Sequence, residues 1–363
     1  MGIGLDKGWR LNAICPYFTM FPLSFPLRVL RRVEQGWVLD PFCGRGTTNF
    51  AARLLGLPSV GVDSSRVAHA VTAAKLASAT QSRVTKRCND ILAGSDPVDV
   101  PEGPFWERAF HPRTLTMVCK LREALLHPHS QTDVVLRALI LGILHGPRYK
   151  KAVSYLSNQM PRTYATKPTA ALRFWRRHGN RPRFVDAGDV VSRRAGRLLD
   201  RQPPPAEGRV YLHDSRLLAE LNLPRTFSAV VTSPPYLGMR SYRPDQWLRE
   251  WFLGSPPEVT YSVENQIATA DQNLFVNELG KVWAAAATVC IPRARLIVRF
   301  GAMAGIDADP RRLLRESLNC ADVNWKVTGI REVAPPPDGR RQSDQFGGGK
   351  TTRREIDLYA VLS

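Results

Sequence analysis

Between Gly36 and Asp63 the chain reads strand, glycine turn, helix, strand, acid, and no other feature constrains its fold as strongly. A short apolar run, Gly36-Trp37-Val38-Leu39-Asp40, enters Pro41-Phe42-Cys43-Gly44-Arg45-Gly46-Thr47-Thr48. The pattern predicts a helix from Thr48 to Leu55, a strand from Ser59 to Val62 ending at Asp63, and a helix from Ser65 to about Ser78. Parallel strands need helical crossovers, so this order is the first half of a doubly wound α/β sheet. Glycine has no Cβ, which lets the backbone turn sharply and a ligand lie against it. The first turn of the next helix offers free N–H groups. Two glycines alone are a weak signal. Asp63 strengthens it: it follows Asp40 by 23 residues, and an acid ending the second strand commonly accepts hydrogen bonds from ribose hydroxyls. By itself Asp63 could equally cap the following helix. Together the two features favour a ligand carrying an adenosine group.

The alternation then stops. From about residue 80 to 207 the pattern is mostly helical, with helix-like periodicity over Thr114–Leu126 and Thr132–Leu144, and it ends at Pro203-Pro204-Pro205. Strand-like runs resume at Arg209–Leu212, before His213-Asp214, and at Phe227–Val231, before Thr232-Ser233-Pro234-Pro235-Tyr236. A helix over about 272–289, a strand Arg295–Phe300, a helix Pro310–Leu318 and two final strands, Trp325–Arg331 and Glu355–Leu362, follow. The reading divides the chain at 1–79, 80–207 and 208–363: a cofactor-binding half, a basic helical insertion and a catalytic half.

The tetrad Ser233-Pro234-Pro235-Tyr236 carries the chemistry. Prolines fix φ and remove N–H donors, but their carbonyls remain acceptors. A serine oxygen and a proline carbonyl can therefore both face one substrate amino group. An exocyclic base amine is a poor nucleophile because its lone pair is delocalised into the ring. Drawing both of its protons toward acceptors frees that lone pair for attack. Tyr236 can stack on the base. The two prolines also fall at a strand's C-terminal end, where open α/β sheets bind ligands.

DPFCGRGTT at Asp40–Thr48 and TSPPY at Thr232–Tyr236 together resemble the amino-methyltransferases of DNA, the N4-cytosine and N6-adenine family. The resemblance implies a Rossmann-like class I methyltransferase sheet with a reversed last strand, and S-adenosylmethionine as cofactor. It implies that Asp40, Phe42, Gly44, Gly46, Thr47 and Asp63 form the cofactor turn and that Ser233, Pro234, Pro235 and Tyr236 are catalytic. Tyr17, Thr19 and Phe21 lie in a stretch resembling the family's N-terminal motif, at the methionine end of the cofactor. Asp214, 19 residues before Ser233, resembles the polar residue near the adenine; Asn89-Asp90 is a rival without an apolar strand before it. Serine at the head of the tetrad leans toward N4-cytosine. C5-cytosine methylation needs a thiolate, typically in a Pro-Cys pair, and none of the six cysteines follows a proline.

A net charge of +19 points to a polyanionic partner, nucleic acid first. Residues 148–209 hold 15 Lys or Arg against 4 Asp or Glu, more than half of that excess. Aromatics interleave there, densest at Arg173-Phe174-Trp175-Arg176-Arg177. Arg173, Trp175, Arg176 and Arg177, with Arg340 and Arg341 in the Pro/Gly/Arg-rich loop before the last strand, are the expected contacts to double-stranded DNA. A solvated helix face is the alternative for such a run. The cysteines form no CxxC pair, so neither zinc nor a disulfide framework is expected, and a reducing, cytoplasmic setting fits. The most apolar stretch, Val134–Leu144, is too short to span a bilayer. RNA methylation by the same catalytic unit and a non-catalytic DNA-binding protein are the competing functions. A separate restriction nuclease or defence subunit is a possible partner, because no nuclease motif is visible.

Overall fold

A computed structural model describes residues 9–17, 21–33, 35–147, 154–159, 165–224, 226–239, 243–262, 264–301, 306, 308–333 and 355–363. The chain divides into two compact units. One comprises Met1–Phe18, Ala73–Pro203 and Tyr242–Ser262; the other comprises Thr19–Thr72, Pro204–Ser241 and Val263–Ser363.

The second unit is the α/β one. Its strands are β1 (Trp37–Asp40), β2 (Ser59–Asp63), β3 (Gly208–Leu212), β4 (Phe227–Thr232), β5 (Cys290–Gly301), β6 (Trp325–Val333) and β7 (Glu355–Leu362). They form one seven-stranded sheet in the order β3-β2-β1-β4-β5-β7-β6. The pairings from β3 through β5 are parallel, and β7 runs antiparallel to both β5 and β6. This is the Rossmann-like sheet with a reversed last strand that the motifs implied. The order reverses at β1, so the C-terminal ends of β1 and β4 flank the switch point where doubly wound sheets hold ligands.

Alternation along the strands divides the sheet into two faces. Leu296, Val298 and Phe300 of β5 and Ile356, Leu358 and Ala360 of β7 join one buried core with Phe275, Leu279 and Trp283 of helix Gln272–Ala287 and Leu313 and Leu314 of helix Pro310–Asn319. On the other face, Arg299 of β5 lies opposite Asp357 of β7 in a buried two-point ion pair, with N–O distances of 2.8 and 3.0 Å. Arg28 of helix Ser24–Leu30 adds a third partner to the same carboxylate at 2.9 Å, and the Arg299 guanidinium lies 3.8 Å from the Phe25 ring centroid.

Most predicted elements stand within a residue or two of their expected limits. β5 is the exception, starting at Cys290 rather than Arg295. Pro292 and a left-handed Arg293 (φ 64°) interrupt the alternation, and the register with β4 jumps from Phe227↔Cys290 to Ala229↔Arg295. A bulge of this kind hides the start of a strand from any period-two pattern.

The first unit is mainly helical, as the sequence indicated for 80–207. It contains helices Gln81–Ala93, Pro112–Leu125, Gln131–Ile143, Pro168–Arg177 and Ala187–Leu198. It also has a short parallel ladder, His145–Pro147 with Ser157–Gln159, that the sequence did not reveal. Its aromatic centre gathers Phe105, Trp106, Trp175, Trp247 and Trp251, with Phe105–Trp247 centroids 4.8 Å apart and Trp106–Trp251 centroids 4.5 Å apart. Residues 242–262, read from sequence as part of the catalytic half, cluster with these helices. Among the described residues, no helix is long and apolar enough to cross a membrane.

Candidate active site

The glycine turn leaves β1 at Asp40 and enters helix Thr47–Leu54 through two left-handed glycines, Gly44 (φ 49°) and Gly46 (φ 70°). Side chains from three neighbouring elements fasten it. Asp63, at the end of β2, accepts the Gly44 N–H on one carboxylate oxygen and the Ser65 N–H on the other, each at 2.9 Å. Thr72 donates to the Gly44 carbonyl at 3.0 Å. Ser215, just past β3, donates to the Pro41 carbonyl. Gly46 corrects the simple reading of a glycine kept open for a ligand. A Cβ on it would lie 2.6 Å from the Thr72 hydroxyl oxygen, so the space is already filled by the next helix.

Asp40 is 1% exposed. Its Oδ1 accepts from the Thr232 hydroxyl at 2.6 Å and from the Phe42 N–H at 3.2 Å. Thr48 points its own hydroxyl at the Val231 carbonyl, 3.2 Å away. Among the described residues, Asp40 Oδ2 is buried with no hydrogen-bond partner. Burial pushes this carboxyl up to about 6, opposed by the hydrogen bonds it accepts and helped by the negative charge of Asp63. Burial also raises Asp63, against the two N–H groups that favour its ionised form. A pair of neighbouring acids held above their ordinary range, one with an orphan oxygen, is an arrangement that a cation would relieve.

Thr232 ties this turn to the tetrad. It is fully buried at the end of β4, and its bond to Asp40 crosses from the β4 exit to the β1 exit. Ser233 and Pro235 are half-buried, and Pro234 is buried. Among the described residues neither the Ser233 hydroxyl nor the Pro234 carbonyl makes a hydrogen bond. The Tyr236 ring meets Phe300 edge-on, with centroids 5.2 Å apart, and its hydroxyl lies 3.5 Å from Glu355 Oε1. The turn after it is closed by the Met239 N–H on the Tyr236 carbonyl at 3.0 Å. Thr269 braces that turn: its hydroxyl donates to the Met239 carbonyl at 2.6 Å, and its carbonyl accepts the Gly238 N–H at 2.7 Å. The two acceptors therefore sit on a backbone held at both ends.

The other predicted residues fall as follows. Phe42 is half-buried and edge-on to Trp283 at 6.4 Å, and Thr47 is buried at the helix start. Asp214 follows β3, beside the end of β2, where the His213 N–H donates to the Asp63 carbonyl. It caps the next turn through the Arg216 N–H and pairs with the Arg216 guanidinium, which continues to Glu278 at 2.6 Å. Burial works to raise the Asp214 carboxyl, but Arg216 outweighs it and holds the group below its ordinary value. The rival pair Asn89-Asp90 is exposed on helix Gln81–Ala93, with Asp90 paired to Lys86. Phe21 packs edge-on against Phe25. Tyr17 belongs to the helical unit. Thr19, Arg340 and Arg341 lie outside the described residues.

On helix Pro168–Arg177 the outward face carries Arg173, Arg176 and Arg177, all exposed. Trp175 is a correction. It is 1% exposed and packs on Phe105 at 5.6 Å, so it anchors the helix and cannot reach a nucleic acid. Its spacing from the buried Ala171 marks it as the i+4 member of a core stripe. Thr72, Ser215 and Thr232, which fasten the site, were not singled out from sequence. Only the position of Thr232 at a strand end offered a signal. Burial also pushes the Cys43 thiol well up and holds Cys88, Cys119 and Cys290 at about 12, so none of these four supplies a thiolate near neutral pH. Among the described residues no cluster of His, Cys, Asp or Glu is placed to hold a metal ion.

No protein-family model matches the chain, and no curated protein does. Among solved structures it is similar to TrmN from Thermus thermophilus, at 9% identity over 99% of this chain and 53% of that one, with a TM-score of 0.37. The chain thus spans about half the length of TrmN. It is also similar to the rRNA methyltransferase aviRa from Streptomyces viridochromogenes, at 12% identity over 98% and 90% of the two chains and a TM-score of 0.35. TehB from Haemophilus influenzae gives 7% identity over 94% and 62%, again with a TM-score of 0.35. At such identities and scores, what the site does is read from its own side chains.

Proposed function

We propose that this chain is an S-adenosylmethionine-dependent methyltransferase acting on an exocyclic amino group of a base in DNA, with cytosine N4 as the target that Ser233 favours. The observation that carries the reading is the pair of unengaged acceptors, Ser233 Oγ and the Pro234 carbonyl, on a braced strand exit linked through Thr232 to Asp40. The cofactor, when bound, supplies an electrophilic methyl on a sulfonium. Its fit rests on the orphan Oδ2 of Asp40, suited to an ammonium, and on Asp63, whose carboxylate can also accept ribose hydroxyls. Asp214 stands at the same edge as the candidate neighbour of the adenine.

The chain's own residues then do three things. Tyr236 holds the base, which must leave the duplex because an amino group inside the stack cannot be approached in line. Ser233 and Pro234 accept the two amino protons and localise the nitrogen lone pair toward the methyl. After transfer, the excess proton leaves the product nitrogen through the Ser233 side. No cysteine takes part. Arg173, Arg176 and Arg177 are the proposed phosphate contacts, and Arg340 and Arg341 remain proposed on sequence grounds.

The test is transfer of radiolabelled methyl to duplex DNA and to total RNA, followed by digestion to nucleosides. The expected product is N4-methylcytosine in DNA. N6-methyladenine would keep the mechanism and change the target, and label confined to RNA would move the substrate. A 5-methylcytosine product, or a trapped covalent adduct, would falsify the mechanism.

A further inference from the structure

The sheet face that carries Arg299 also holds a groove that takes no part in the proposed reaction. Its floor is Ile297 of β5, Tyr359 of β7 and Gly329 of β6, which the register sets side by side. Its walls are Arg295 and Arg331 from the strands, with Arg28 and Arg32 from helix Ser24–Leu30 and the turn after it. The groove encloses about 360 Å³, at the lower end of the range of small-molecule sites. It is open at Gly329, where an added Cβ would meet nothing within 4 Å.

Its charge is unbalanced. Among the described residues, Asp357 is the one carboxylate paired with an arginine of this face, and it is shared by Arg299 and Arg28. Arg32, Arg295 and Arg331 are exposed and, among the described residues, pair with no carboxylate. Two of these arginines are nevertheless positioned. Arg295 donates to the Arg32 carbonyl at 2.9 Å, and the Arg331 guanidinium lies 5.5 Å from the Tyr359 ring centroid. Guanidinium groups gathered around a partly enclosed space repel one another until an anion joins them, and their fork matches phosphate oxygens in particular. Tyr359 adds a half-buried ring beside them, a surface on which a planar base can stack.

We propose that this groove binds a phosphorylated nucleoside, either free or as one unit of a nucleic acid strand. Arg32, Arg295 and Arg331 take the phosphate, and Tyr359 takes the base. The site is separate from the glycine turn. No lining residue is shared, and Arg295 lies three residues, or roughly 10 Å, along β5 from Val298, the partner of Thr232. The proposal goes beyond the methyl-transfer reading and does not depend on it.

Thymidine monophosphate and a fluorescein-labelled oligothymidylate are suitable probes, because neither carries an adenosine for the other site. Binding is measured on the full chain, on Gly329→Leu and on Arg295→Ala/Arg331→Ala. Gly329→Leu fills the groove while leaving every charge in place, so it separates this site from the basic helices. Both variants are expected to lose about tenfold or more in affinity, with unchanged thermal unfolding and unchanged S-adenosylmethionine binding. Tight binding of the mononucleotide points to a free ligand; binding of the strand alone points to a unit within a polymer. If the wild type binds neither probe, or if the folded Gly329→Leu variant binds both as the wild type does, the proposal is overturned.

Discussion

Asp40 couples three properties of the site in one carboxyl: it holds Thr232, it keeps one oxygen unsatisfied, and burial raises it to about 6. A cation binding beside it favours the ionised form, so binding must drive off a proton whenever the free protein holds one. S-adenosylmethionine affinity is therefore expected to fall as pH drops below about 6 and to level off above it. Asp40→Asn should flatten that profile and weaken binding at pH 7.5 by roughly 1.5–3 kcal/mol, the scale of a hydrogen bond to a charged group. Calorimetry across pH 5–7.5 measures both; a variant with the wild-type profile rules Asp40 out as a cofactor ligand. Ser233 makes the opposite kind of contribution. Its acceptor matters most as the amine lone pair localises, so Ser233→Ala should lower turnover by about tenfold or more while leaving cofactor affinity unchanged. Single-turnover methyl transfer, read beside the same calorimetry, separates the two effects.

At the scale of elements, the glycine turn and helix Pro168–Arg177 show how far the sequence could be read. The turn was legible because a strand, two glycines and a distant acid follow each other in the chain. What fastens it was not, because Thr72 lies within a predicted helix and Ser215 just past a predicted strand, and periodicity does not say which single side chain of an element reaches a distant turn. Gly46 is the clearest case. Its need for glycine was visible, but the reason, a left-handed φ against the Thr72 side chain, lies in a contact between residues 26 positions apart. Gly46→Ala should cost about 1–2 kcal/mol for the backbone conformation alone, with a further loss from the clash, seen as a lowered unfolding midpoint. On the basic helix, the three arginines and Trp175 looked alike as a cluster. Helical periodicity separates them, since 171 and 175 share the buried face. Replacing Arg173, Arg176 and Arg177 together by Ala should weaken DNA binding and reduce its salt slope by up to about 0.9 per lost phosphate contact. An unchanged slope would make the cluster a solvated face. The bulge at Pro292–Arg293 and the ladder at His145–Pro147 escaped for a common reason: each is too short or irregular for periodicity to register.

For the molecule as a whole, two buried groups pull acid stability in opposite directions. The Asp40 carboxyl is raised, so it favours the folded state below its unfolded value of 3.8, and that contribution is lost as pH rises through about 6. His145 is buried with neither ring nitrogen hydrogen-bonded among the described residues, and burial, aided by the charge of Arg249, holds its pKa well below 6.5. A depressed histidine favours the folded state only while the unfolded chain is neutral too. Its contribution is present above 6.5 and is lost as pH falls below it. Between pH 7.5 and 5 the His145 effect should lower the unfolding temperature of the native chain, and His145→Leu should lessen that drop. Melting curves at both pH values in both proteins decide the matter.

The reversed strand has a consequence for synthesis. β7 is inserted between β5 and β6, so among the described residues β6 pairs with no other strand and Arg299 pairs with no carboxylate but Asp357. A chain emerging from the ribosome can assemble β1 to β5 in order as each crossover helix appears. It cannot seat β6 on the sheet until β7, Glu355–Leu362, has followed β6, which ends at Val333. For that interval the nascent protein carries a prefabricated slot, rimmed by the open edge of β5 and lined by an unneutralised guanidinium. This eight-residue strand is the keystone of the sheet, and translation through it, rather than through the catalytic motifs, is what lets β6 join β1 to β5.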